Sequence, residues 1–212
     1  CIRDRMNGVG LPNARWLKMI LWVALSTPLL WLGVLIVKEL RQTNSGLGTE
    51  PTEALLHYLG EWSLILVLLA FAVSPLRRRL HWPWLGQHRR LIGLFAFTYV
   101  CLHVLAYAGL YAEFKLALLL DDFVHRSYIT AGIGAFVALL LMALTSTRGW
   151  RRRLKENWRR LHRLIYAATF LAIVHLLWLR KDSGVAEAIY LLIFMGILTE
   201  RIVFHWQKRR SV

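Results

Sequence analysis

The 212-residue chain is poor in acid, with 12 Asp and Glu against 27 Lys and Arg and a formal net charge of +15. It is also poor in charge overall, at 18%, where a soluble domain typically carries about 25%. Its two cysteines, Cys1 and Cys101, lie far apart, which excludes a disulfide scaffold or a thiolate metal cluster. No G-x-G-x-x-G run and no hydrophilic stretch long enough to fold alone is present, so the chain has no nucleotide domain for NAD(P)H. A nucleic-acid binder would spread its positive charge over a soluble body. Here the charge lies in short blocks between long apolar runs, and every functional group must sit in an apolar segment or a short loop.

What the chain has is hydrophobicity: 57% of residues and a mean hydropathy of +0.46. A spanning helix needs roughly 20 mostly apolar residues to cross about 30 Å of hydrocarbon. Six stretches approach that: Trp16–Val37, His57–Leu76, Leu91–Tyr111, Tyr128–Thr145, His162–Leu179 and Val185–Phe204. The pattern predicts an all-α integral membrane protein with a six-transmembrane-helix bundle over 16–204, an N-terminal segment over 1–15 and a basic tail over 205–212. The first apolar run is too long for a signal-peptide core, so no cleaved leader is expected, and Met6 is a plausible initiator. Nineteen Lys and Arg fall on the side that holds both termini, among them Arg77–Arg79, Arg89, Arg90 and Arg151–Arg153, against six on the other. The positive-inside rule then puts both termini in the cytoplasm. Most of the 10 Trp and 7 Tyr read as interfacial belt residues, and Pro28 and Pro75 as kinks.

Ionisable groups within spans are costly and are functional candidates by default. Of the eight histidines, His81, His88 and His125 fall in predicted loops and His205 starts the tail. His103 and His175 instead lie in unbroken apolar sequence. His103 is 13 positions beyond Arg90 and His175 is 15 beyond Arg160, on two helices that run the same way. At ~1.5 Å per residue their depths differ by about 3 Å. Two imidazoles at one level can clamp a planar iron porphyrin, although each could also bond Ser or Thr on a neighbouring helix. His162, at the basic edge of the fifth span, is 13 residues before His175, about 20 Å along the axis. That spacing suits a second stacked haem, but an ideal helix turns the two side chains about 140° apart, and Arg89 and Arg90 stand at the matching depth of the third span. The clustered guanidiniums there suit phosphates and carboxylates: haem propionates, a flavin phosphate or anionic lipid.

Four segments carry a family resemblance: HYLGEW (His57–Trp62), HRRLIGLFAFTYVCLHVLAY (His88–Tyr107), TSTRGWRRRLKENWRRLHRLIY (Thr145–Tyr166) and VHLLW (Val174–Trp178). From about Leu47 to Arg201 the chain resembles the haem-binding membrane subunit family of the periplasmic protein-methionine-sulfoxide reductase system (MsrQ, formerly YedZ), within the ferric-reductase-like transmembrane superfamily. The resemblance implies a multi-pass protein of the bacterial inner membrane carrying haem b, one with a second left open, together with FMN. It implies electrons arriving from quinone or a cytoplasmic flavin reductase. They would leave to a periplasmic molybdopterin-containing catalytic subunit, so that the chain is a partner in repair of oxidised proteins rather than the catalytic subunit. By motif, His103 and His175 match haem ligands, His162 the second helix-five histidine, and Arg89 and Arg90 the basic pair before helix three. His57 matches a family position without a derived role. A ferric or cupric reductase on the same bundle, a proton-relaying transporter and a membrane anchor are the competing readings.

Overall fold

The computed structural model describes residues 14–43, 45–179 and 184–210. Arg3, Arg5, Arg180 and Lys181, counted in the charge asymmetry, and most of the 1–15 segment lie outside those residues. The described chain is helical, with no strand. Its helices are α1 (Ala14–Arg41), α2 (Pro51–Arg79), α3 (Leu85–Ala106), α4 (Leu116–His125), α5 (Ser127–Leu144), α6 (Arg148–Leu161), α7 (Leu164–Leu179) and α8 (Val185–Arg210), with a π-helical turn, Tyr107–Tyr111, closing α3. Five are long and apolar enough to span a membrane: α1, α2, α3 with its π turn, α5 and α8. A sixth candidate arises only if α6 and α7, bent by 49°, are counted together; α7 alone has 16 residues, about 24 Å.

The chain divides into two compact units at Gly48. The first is α1 with the turn after it, where the Glu39 carboxylate accepts the backbone N–H groups of Gly46 and Leu47 at 3.0 and 2.9 Å. The second holds α2–α8. There α2 packs chiefly on α3 and α5 on α7, smaller contacts join α2 to α7 and α3 to α5, and α8 lies against α2 and α7. The helices α3 and α7 therefore face each other across a ring of four. Apolar side chains such as Leu105, Val137, Phe170 and Leu192 remain exposed, as expected where lipid, not water, covers the surface.

Two amphipathic helices replace predicted loops. The helix α4 exposes Leu116, Leu120 and Val124 while burying Asp122. The helix α6 carries Arg151–Arg153 with Arg148, Arg159 and Arg160, is capped by the Thr147 hydroxyl, and kinks at Lys155, which takes φ 45°. The span boundaries also move. The helix α3 begins at Leu85, so His88 lies in its first turn and is 7% exposed, not on a solvated loop. The helix α8 continues through His205 to Arg210.

Proline positions have partners that a kink alone does not explain. Pro75 has no N–H, which frees the carbonyl four residues back, that of Phe71. In a bilayer such a group must find a donor, and the Arg201 guanidinium on α8 donates to it. A second tie joins the same helices at the end of α2: Arg78 meets the Glu200 carboxylate at 2.6 Å, with Arg79 at 3.8 Å.

Candidate functional site

The rings of His103 on α3 and His175 on α7 approach across the bundle, with centroids 6.3 Å apart and planes at 82°. Each ring is oriented the same way. His103 Nδ1 donates to the Leu56 carbonyl on α2 at 3.1 Å, and His175 Nδ1 to the Tyr128 carbonyl on α5 at 2.6 Å. A carbonyl only accepts, so Nδ1 carries the proton and Nε2 keeps its lone pair. That is the tautomer a metal-binding imidazole needs, with a backbone group fixing the ring from behind. A metal between two imidazoles, with bonds of about 2 Å, sets the ring centres roughly 6 Å apart. The observed spacing meets that test. Among the described residues no group of three or more His, Cys, Asp or Glu is arranged to hold a metal ion.

Two glycines let the rings lie so close to the neighbouring helices. A Cβ at Gly60 on α2 would stand 3.2 Å from His103 Cε1, and one at Gly132 on α5 would stand 2.8 Å from His175 Nδ1. Each ligand-candidate ring therefore rests on a residue without a side chain.

Polar groups surround the same end of the bundle. Asp122, buried in α4, accepts from the Tyr107 hydroxyl of the π turn and pairs with Arg126 Nε at 2.9 Å. Arg126 also donates to the hydroxyls of Tyr111 and Tyr128, both at 3.1 Å. The Tyr128 ring lies 6.0 Å from that of His175. A π turn at this point, one turn beyond His103, is the kind of irregularity that collects at functional sites. His57 is half-buried and lies 3.3 Å from Glu53 on its own helix.

His162, Arg89 and Arg90 lie at the other, basic end. His162 occupies the turn between α6 and α7, outside the spanning helices. Its ring stacks on Trp158 at 4.0 Å and its Nε2 meets the Thr145 hydroxyl at 3.3 Å. Burial, then the nearby Arg89 charge, holds its imidazole down at about 4. Arg89 is half-buried and Arg90 exposed. The structure thus brings His103 and His175 together and leaves His162 at a separate site, facing no other imidazole among the described residues.

A family model, the ferric reductase like transmembrane component, matches residues 59–173, which contain Gly60, His103, Gly132 and His162 and end two residues before His175. A protein named protein-methionine-sulfoxide reductase heme-binding subunit MsrQ from Rhodospirillum rubrum is 40% identical over 210 residues, 99% of this chain and 93% of the relative. Proteins of the same name from Caulobacter vibrioides and Xanthomonas campestris are 38% and 36% identical. They cover 91% and 92% of this chain, and 88% and 89% of their own lengths. The chain belongs to the MsrQ family of ferric-reductase-like transmembrane proteins. With five or six candidate spans, this MsrQ-family chain is a multi-pass membrane protein.

Reading the sequence alone missed three features of this MsrQ-family site. Gly60 stands inside the quoted HYLGEW segment as the lone glycine of an apolar helix, a residue that costs helix stability and asks for a packing reason; Gly132 stands in the fourth span with Gly134 two residues on. Arg201, near the end of the last predicted span, is buried at 7% exposure. His88 is as buried, and its Nε2 has no hydrogen-bond partner.

Proposed function

We propose that this chain is the haem b subunit that carries electrons through the bacterial inner membrane to a periplasmic methionine-sulfoxide reductase subunit bearing molybdopterin. The observation that carries the reading is the imidazole pair with its spacing of 6.3 Å; the names of the MsrQ relatives support the same reading. His103 and His175 would hold the iron, and the haem supplies one-electron chemistry when bound. The protein does the rest. The Leu56 and Tyr128 carbonyls keep both Nε2 atoms free and aimed, and Gly60 and Gly132 admit the rings. With both neutral imidazoles as its ligands, the group would supply electron transfer rather than oxygen chemistry.

The charge asymmetry supports a cytoplasmic basic end and two cytoplasmic termini. Electrons would enter there, from quinol or a cytoplasmic flavin reductase, at the end where Arg89, Arg90 and His162 gather. One haem on the His103–His175 pair accounts for the facing imidazoles. The test is haem content. His103→Ala and His175→Ala should each insert normally yet lose most of their haem by pyridine haemochrome assay, while the parent protein shows a Soret band that shifts with dithionite. Full haem content in either variant would remove the ligand assignment.

A further inference from the structure

The basic end holds a buried cation with no counter-ion among the described residues. Arg201 lies nine residues before the end of α8, about 13 Å along the helix, and is 7% exposed. Its partners are neutral: the Phe71 carbonyl, the Tyr166 hydroxyl at 2.9 Å, and the faces of the Phe71 and Tyr166 rings at 4.2 and 5.1 Å. Its Nε–H is buried and has no acceptor. The adjacent Glu200 does not neutralise it, because that carboxylate is turned to Arg78 and Arg79. Arg89 adds a second positive charge within electrostatic reach. A buried, unpaired guanidinium is strongly unfavourable in a low-dielectric interior and calls for an anion.

A cavity of about 370 Å³ opens beside it, lined by Tyr166, Arg201, Ile202, His205, Trp206 and Arg209. That is at the small end of ligand pockets, about 300–1,000 Å³. Its lining brings together the Arg201 and Arg209 guanidiniums, the His205 imidazole and the Trp206 indole. The Trp206 ring is itself held under the Arg210 guanidinium at 3.4 Å.

We infer that this pocket between α7 and α8 binds the phosphate of an amphiphilic or planar ligand, with Arg201 and Arg209 as its counter-ions. Guanidinium groups suit phosphate because their fixed fork matches its oxygens. Two sources share that chemistry, the phosphate of FMN and the headgroup of an anionic phospholipid. The inference does not depend on the haem assignment, since the pocket and the His103–His175 pair lie at opposite ends of the bundle.

The experiment uses the full chain purified in neutral detergent. Binding of FMN is compared with riboflavin, which lacks the phosphate, by flavin fluorescence quenching. Binding of phosphatidylglycerol is compared with phosphatidylcholine by native mass spectrometry from nanodiscs. Preference for FMN over riboflavin identifies the flavin source; preference for phosphatidylglycerol identifies the lipid source. In either case Arg209→Gln should weaken the preferred ligand about tenfold and Arg201→Gln more, as expected for lost charge-assisted hydrogen bonds. Arg201→Lys should retain part of the affinity, and both it and the exposed Arg209→Gln keep the test decisive if Arg201→Gln fails to fold. Haem content, measured on the same samples, should be unchanged in Arg209→Gln. Equal binding of FMN and riboflavin together with equal binding of the two lipids would overturn the inference. So would a preference that neither Arg209→Gln nor Arg201→Lys diminishes.

Discussion

Replacing Gly132 with alanine tests the cofactor site without touching either histidine. The new Cβ would lie 2.8 Å from His175 Nδ1 and 3.1 Å from Cε1, against an ordinary contact of roughly 3.4–4 Å, so the ring must retreat by about 0.6 Å. The retreat acts on the bond that orients the ring, the 2.6 Å contact to the Tyr128 carbonyl. Metal–nitrogen bonds tolerate about 0.2 Å, and loss of a supporting hydrogen bond typically costs 10–100-fold in metal affinity. Haem affinity in Gly132→Ala should therefore fall by about that factor. Gly60→Ala is the graded companion: its Cβ would stand 3.2 Å from His103 Cε1, which needs only about 0.2 Å of movement, and its loss should stay below about tenfold. Gly93→Ala is the control, since nothing lies within 4 Å of its added Cβ and alanine is the better helix former by about 1 kcal/mol. The assay is haem titration of the apoprotein read at the Soret band, with low-spin signals in electron paramagnetic resonance reporting ligand geometry. Gly132→Ala binding haem as tightly as Gly93→Ala, with unchanged signals, would refute the reasoning.

Two further outcomes follow from other parts of the molecule. His162 is held at about 4 against an ordinary 6.5, by burial and then by Arg89. Between those values the unfolded chain binds a proton that the folded chain refuses, so this contribution is intact above about pH 6.5 and is lost as pH falls toward 4. Thermal unfolding in detergent from pH 7.5 to 4.5 should lose less stability in His162→Gln than in the parent, and identical pH slopes would contradict the assignment. Asp122→Asn keeps the side chain's shape but removes its ion pair with Arg126 and weakens the bond from Tyr107. It should destabilise the protein by about 1–3 kcal/mol in denaturant unfolding while haem still binds, and an unchanged midpoint would show the cluster to be idle.

Much of the fold was legible from hydropathy because a bilayer admits few solutions. Backbone polar groups must be satisfied within each spanning segment, so apolar length alone reveals a chain that crosses several times, five or six by its helices. The short α7 is legible as well, since its apolar run is brief. The amphipathic α4 and α6 were not, because short polar-and-apolar segments at an interface look like loops until something packs beneath them. His88 was lost for a related reason: helix α3 starts two turns earlier than its apolar stretch, through polar residues that the basic end of the bundle accepts.

The chain by itself determined that it crosses a membrane several times, that its positive charge gathers on one side, and that His103 and His175 sit at nearly equal depth. Each of these is a count along a helix of known rise. Only the tertiary structure decided which way the rings turn, because rotation of a helix about its own axis depends on what its neighbours offer. Here they offer the Leu56 and Tyr128 carbonyls and the bare backbone of Gly60 and Gly132. The same holds for Arg201. Its bond to the carbonyl freed by Pro75 joins residues 130 positions apart, a pairing that exists only once α2 and α8 lie side by side.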